Sequence, residues 1–338
     1  MRPEDGDALN PNRWYAECSV SCKSHKKLNH KSVTDAGKKA VDGGTSAAPV
    51  KAAPPKPVPA WRTIEKPAEN EFFVKKEVWE CLQWAFETGN NILLTGPSGC
   101  GKSEVISNAA AAAKKKYEPF NMGAMSEPRL SLIGATHFDK DKGTFFNESR
   151  FVRTIKDEKN EGAVILMDEL TRAERGAFNI LLPLLDRQRY LALDESEDAA
   201  IIRRGPKVAI AATANIGMEY TGTDVMDKAL KERFKVTIDL DFPPASVEHG
   251  LLMKRHGATK KTADKLVKLA EKQRQMQKDD DFTEGISTRM LLAAAEMISD
   301  GHTYDTATEF AIVNTFSPDG GEESDRTKVR QIIQKERY

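Results

Sequence analysis

Gly96-Pro97-Ser98-Gly99-Cys100-Gly101-Lys102-Ser103 fills every position of the pattern G-x-x-x-x-G-K-[ST]. The apolar run Ile92-Leu93-Leu94-Thr95 precedes it and Glu104-Val105-Ile106 follows, so strand, loop and helix stand in the order that a phosphate-binding loop requires. Gly96, Gly99 and Gly101 permit backbone conformations in which successive N–H groups face inward, and the helix N-terminus behind them favours negative charge. Lys102 is expected to reach the β- and γ-phosphates of a nucleoside triphosphate, and Ser103 to place its hydroxyl on Mg²⁺.

Working outward, Ala163-Val164-Ile165-Leu166-Met167-Asp168-Glu169 reads as a buried strand ending in two carboxylates. That end is the carboxyl edge, where open α/β sheets bind their ligands. Asp168 is suited to hold Mg²⁺ through its water shell, and Glu169 to orient an attacking water for in-line phosphoryl transfer. Val208-Ala209-Ile210-Ala211-Ala212-Thr213-Ala214-Asn215 is a second apolar strand, with Asn215 as its polar terminus at the same edge. Further β-like runs lie at Tyr117–Met122 and Lys235–Leu240. Helical periodicity between the runs predicts a parallel sheet covered on both faces. Val78, Cys81, Leu82, Ala85 and Phe86 predict a helix before the first strand, stopped at Gly89. After Pro243 the pattern is helical throughout, and Pro183, inside a helical pattern, is expected to kink or end its helix.

Composition bounds the rest. The chain has 338 residues, 39% of them hydrophobic, enough for a sizeable core. Lys plus Arg and Asp plus Glu both number 51, so overall charge gives no reason to expect nucleic acid. Four cysteines do not make a disulfide framework, and no apolar stretch is long enough to span a bilayer, so a cytoplasmic protein is expected. Residues 1–65 read as a disordered basic tail and linker rich in Ala, Pro and Lys, residues 66–243 as an α/β nucleotide-binding domain, and residues 244–338 as a small helical lid. Within the tail Cys18, Cys22, His25 and His30 carry four zinc-ligand types. They lack the long spacer of a zinc finger and read as solvated side chains.

Taken together these pieces resemble the AAA+ ATPases. Asn215 matches the sensor-1 position, Arg233 in Asp227-Lys228-Ala229-Leu230-Lys231-Glu232-Arg233-Phe234 matches the arginine finger, and Arg289 in Ser287-Thr288-Arg289 is similar to the sensor-2 arginine of the lid. Two strand-like hairpins stand outside the nucleotide chemistry. One runs from Leu132-Ile133-Gly134 through Gly143-Thr144-Phe145-Phe146 to Phe151-Val152; the other pairs Arg189–Leu193 with Ala200–Arg204. They resemble the helix-2 insert and pre-sensor-1 hairpin of one AAA+ clade. Within it, Asp168-Glu169-Leu170-Thr171-Arg172-Ala173 and Asn179–Asp186 are similar to the MoxR, CbbQ/NorQ and cobaltochelatase-motor group.

The resemblance covers about residues 70–300. It implies a P-loop AAA+ core with a five-stranded parallel sheet, and ATP with Mg²⁺ as ligands. It further implies catalytic roles for Glu169, Asn215, Arg233 and Arg289, and a homo-oligomeric ring, expected as a hexamer, that remodels or activates a protein client or a partner with a von Willebrand factor A-like domain. The same clade includes nucleic-acid motors and loaders, which is the alternative reading; Arg203, Arg204 and Lys207 are the hairpin residues able to meet phosphate.

Overall fold

The computed structural model describes residues 59–67, 73–141, 143–194, 196, 199–215, 228–279 and 281–335. Cys18, Cys22, His25 and His30, and the tail as far as residue 58, lie outside them. The first described element is a 3₁₀ turn, Ala60–Thr63, and the Ile64 carbonyl just after it accepts from Trp79 Nε1 at 3.0 Å.

Helix α1 (Lys76–Thr88) forms because Trp79, Leu82, Gln83 and Phe86 recur on one buried face, and it stops where Gly89 takes the left-handed conformation. Five strands then build one sheet. They are β1 (Asn91–Thr95), β2 (Lys116–Asn121), β5 (Ala163–Asp168), β8 (Val208–Ala214) and β9 (Val236–Asp239). Their order is β2-β5-β8-β1-β9, and every neighbouring pair is parallel. A parallel sheet needs crossovers, and the crossovers put helices on both faces.

Alternation along the strands divides the core in two. Ile92 and Leu94, Val164 and Leu166, and Ala209 and Ala211 face α1 and the helix after the phosphate loop, α2 (Lys102–Ala112). Leu93, Ile165, Met167, Ile210 and Ala212 face the other way. There they meet Phe151, Val152 and Ile155 of α4 (Arg150–Lys156) and Ile180, Leu181 and Leu184 of α5 (Arg175–Leu185). Pro183 lies inside α5, which ends two residues later.

Both hairpins form as separate two-stranded sheets: β3 (Gly134–Asp139) with β4 (Gly143–Glu148), and β6 (Tyr190–Leu193) with β7 (Ala200–Arg203). The first is shorter than its sequence pattern. A short helix α3 (Pro128–Leu132) precedes it, and Phe151-Val152 belong to α4 because Ser149 caps that helix by accepting the Val152 N–H. Phe151 is accordingly core, whereas Phe138 is 76% and Ile201 64% exposed.

After the short helix α6 (Lys228–Lys231) and β9, the chain turns all-helical. Helices α7 (Ala245–His256), α8 (Lys260–Lys278), α9 (Thr288–Ser299), α10 (Tyr304–Ala311) and α11 (Asp325–Lys335) enclose their own apolar core, including Leu252, Leu266, Ala270, Leu291, Ala295 and Ile332. Among the described residues no helix is long and apolar enough to cross a membrane.

Candidate functional site

The loop between β1 and α2 bends where its glycines allow it. Gly96, Gly99 and Gly101 have φ of +142°, +73° and +94°. A side chain at Gly96 would place its Cβ 2.1 Å from the Leu240 carbonyl oxygen, and one at Gly99 would sit 2.7 Å from Cβ of Ser287 in the lid. The first glycine is therefore demanded by the sheet and the second by the lid.

Ser98 to Ser103 line a cavity of about 280 Å³ together with Asp168, Glu169, Asn215 and Arg289. Lys102 is buried, and its Nζ donates to the carbonyls of Gly96 at 2.9 Å and Pro97 at 2.8 Å. Those two residues thus serve the cavity through their backbone. Burial pushes the Lys102 ammonium below its ordinary pKa, with Cys100 and Asp168 pulling the other way. Burial likewise raises the Cys100 thiol, against the opposing pull of Lys102.

Ser103 Oγ donates to Asp168 Oδ1 at 2.8 Å. Parallel pairing of β2, β5, β8 and β1 brings their carboxyl ends to one edge, which is why residues 65 positions apart meet. A hydroxyl and a carboxylate offer an all-oxygen donor set, which fits a hard divalent cation such as Mg²⁺. Glu169 stands one residue beyond the strand at φ +54°, an uncommon conformation for a side-chain-bearing residue. Its carboxylate pairs with Arg172 Nη1 at 3.3 Å.

Thr213 belongs to no sequence motif of the site. Its Oγ1 donates to Asp168 Oδ1 and accepts the Glu169 N–H at 2.9 Å, so one hydroxyl braces both carboxylate residues. The only available signal is a lone hydroxyl near the end of an otherwise apolar strand. Phe73, Pro243, Leu251 and Leu292 are apolar residues of the same lining, and Arg255 of α7 reaches across to Glu104 of α2, 2.6 Å between Nη2 and Oε1. These residues come from four separate segments and carry no contiguous motif.

Arg233 does not join this group. Its carbonyl accepts from Asn91 Nδ2 at 2.9 Å, at the start of β1, whereas the phosphate loop leaves the end of that strand, about 13 Å away at ~3.3 Å per residue. The guanidinium turns to Asp186 Oδ2 at 3.5 Å and to the Ala229 carbonyl at 2.7 Å.

Nor is Arg204 a surface cation. It is 6% exposed, and it donates to Asn91 Oδ1 at 2.6 Å and to the Gly89 carbonyl at 3.3 Å. Burial, and then the neighbouring Arg189, push its pKa down to about 9. Of the three hairpin residues set aside for phosphate, Arg203 and Lys207 are the exposed ones.

Residues 91–234 match the model of the AAA domain, dynein-related subfamily, and residues 248–335 match that of the CbbQ/NirQ/NorQ C-terminal region. BssE, a proposed chaperone of Thauera aromatica, is 32% identical over 62% of this chain and 70% of its own length. Protein CbbQ of Hydrogenophilus thermoluteolus is 28% identical over 74% of this chain and 92% of its own. Protein NorQ of Paracoccus denitrificans is 26% identical over 68% and 80%. Among solved structures, the Thermotoga maritima RuvB Holliday junction branch migration motor aligns at a TM-score of 0.46 with 16% identity, covering 79% of this chain and 78% of that one, too distant a likeness to bear on function. On the family models and these curated relatives, the chain belongs to the CbbQ/NorQ-type group of the AAA+ ATPases.

Proposed function

We propose that this protein is a Mg²⁺-dependent ATPase that works as a ring, with each active site completed by the neighbouring subunit. One observation carries the reading: Ser98–Ser103, Asp168, Glu169, Asn215 and Arg289 share a cavity, while Arg233 sits at the opposite end of the sheet. A second copy that offers its Arg233 to this cavity would supply the charge the site lacks.

In this reading the loop amides and Lys102 hold the β- and γ-phosphates, and the apolar lining residues Phe73, Pro243, Leu251 and Leu292 receive the base. Ser103 and Asp168 would hold Mg²⁺, which neutralises phosphate charge when bound. Glu169 orients the attacking water. Thr213 fixes the Glu169 backbone and the Asp168 carboxylate in the geometry this requires. Asn215 and Arg289 contact the triphosphate from the sheet edge and from the lid.

Turnover would be coupled to remodelling or activation of a protein partner, a reading supported by relatives described as a proposed chaperone and as the denitrification regulatory protein NirQ. The partner with a von Willebrand factor A-like domain, the hexameric ring and the cytoplasmic location belong to the same proposal.

The test mixes two inactive variants. Lys102→Ala and Arg233→Ala alone are each expected to lose turnover, the second by about 10³-fold, the scale of an arginine finger. Mixed and allowed to exchange subunits, they are expected to regain activity, because some interfaces pair an intact cavity with an intact Arg233. No recovery in a mixture confirmed to contain both chains would rule out completion in trans.

A further inference from the structure

The lid contains a buried charge that its apolar packing does not call for. Glu248 on α7 has no exposed surface. Its carboxylate accepts from Arg274 Nη1 and Nη2, both at 2.8 Å, and from the Thr288 hydroxyl at 2.5 Å. Taking such a pair out of water is expensive, and well-packed apolar side chains in its place are often as stable or more so. What the arrangement contributes is the geometry it imposes.

That geometry is directed at one short segment. Arg274 also donates through Nε to the Ile286 carbonyl at 2.8 Å. Its neighbour Gln273, fully buried, accepts the Ile286 N–H at 2.7 Å and donates to the Glu284 carbonyl at 2.8 Å. Residues 284–288 are thus strapped to α8 through backbone and side chain alike. Ser287 then caps α9 by accepting the Met290 N–H and lies against Gly99 of the phosphate loop. Arg289, the next residue but one, lines the cavity. On its outer side the Arg274 guanidinium lies 4.0 Å from the centre of the Phe242 ring, in the segment that joins β9 to α7.

We infer that Glu248, Arg274 and Thr288 are positioning residues that set Arg289 against the triphosphate and tie its placement to Phe242 in the segment between β9 and α7. Carboxylate, guanidinium and hydroxyl tie α7, α8 and α9 together, so Arg289, the residue after Thr288, is held by all three. The inference rests on the reading of Arg289 as a residue that meets the phosphates.

Affinities for ATP and ADP, measured by calorimetry with Mg²⁺ in a Glu169→Gln background that blocks turnover, separate the two. Arg289→Ala is expected to weaken ATP about tenfold while ADP changes by less than about twofold, since removing a charged hydrogen-bond donor costs on that scale. Thr288→Val keeps the shape but removes the hydroxyl, and is expected to lower the ATP-to-ADP preference in the same direction. Thr288→Ser should restore it, and adding Thr288→Val to Arg289→Ala should cost nothing further.

Glu248→Gln is a second probe if its thermal midpoint stays close to that of the parent; Thr288→Val carries the test if it does not. An unchanged preference in Arg289→Ala would overturn the phosphate reading and the inference together. A normal effect of Arg289→Ala beside an unchanged preference in Thr288→Val, or full additivity in the double variant, would overturn the inference alone.

Discussion

Thr213 shows how much of a site one hydroxyl can organise. It donates to Asp168 and accepts from the backbone of Glu169, which lines the cavity in a left-handed conformation uncommon for a residue with a side chain. Thr213→Val preserves the β-branched shape within β8 and deletes both hydrogen bonds. The expected result is a fall in kcat of about tenfold or more with nucleotide affinity nearly unchanged, the signature of an interaction that matters in the transition state. Steady-state turnover over a range of ATP concentrations checks it. The sequence does not advertise this role, because threonine is an ordinary strand residue and its partners lie 44 and 45 positions away. Lys102 and Ser103 are different: their spacing within one loop is itself the chemistry, so they are legible without a fold.

At the scale of elements, the strands are nearly explicit in the sequence and the hairpin bases are not. Runs such as Ala163–Asp168 and Val208–Ala214 are apolar on both faces, which only a sheet covered twice accommodates, and the observed parallel ladder is that sheet. From the sequence Arg204 reads as a hairpin residue able to meet phosphate, and Arg189 only as the start of the hairpin. In the fold they close the base of β6 and β7: the Arg204 N–H donates to the Arg189 carbonyl at 2.8 Å, and the Arg204 side chain binds Asn91 and Gly89. Asn91 in turn donates to the carbonyls of Leu185 and Arg233, joining the hairpin, α5 and the segment that carries Arg233. Arg204→Ala strands a buried amide oxygen and is expected to destabilise the protein by about 2 kcal/mol, read as a lowered urea midpoint at unchanged slope. Arg203→Ala, at an exposed position, is expected to leave the midpoint where it is.

For the whole molecule the consequence of the proposed shared site is that nucleotide governs assembly. Glu169→Gln with ATP and Mg²⁺ is expected to sediment as a closed ring, and Lys102→Ala under the same conditions as smaller species; chelating Mg²⁺ should return the first to the second. The same Glu169→Gln variant with ATP is the form with which to test for capture of a protein client. Stimulation of wild-type turnover by DNA or RNA, lost as salt rises, would favour the nucleic-acid reading instead. By itself the sequence determined the phosphate loop, the strand that leads into Asp168 and Glu169, the helical C-terminal region and the family, since each is written in contiguous residues whose spacing matches a backbone period or a ligand geometry. Only the tertiary structure decided that Thr213 braces the Asp168 carboxylate and the Glu169 backbone, that Glu248 and Arg274 anchor the segment before Arg289, that Arg204 is buried, and that Arg233 stands a strand's length from its own cavity. Those facts depend on side chains far apart in the chain, and distance along the chain carries no information about contact until the sheet and the lid bring them together.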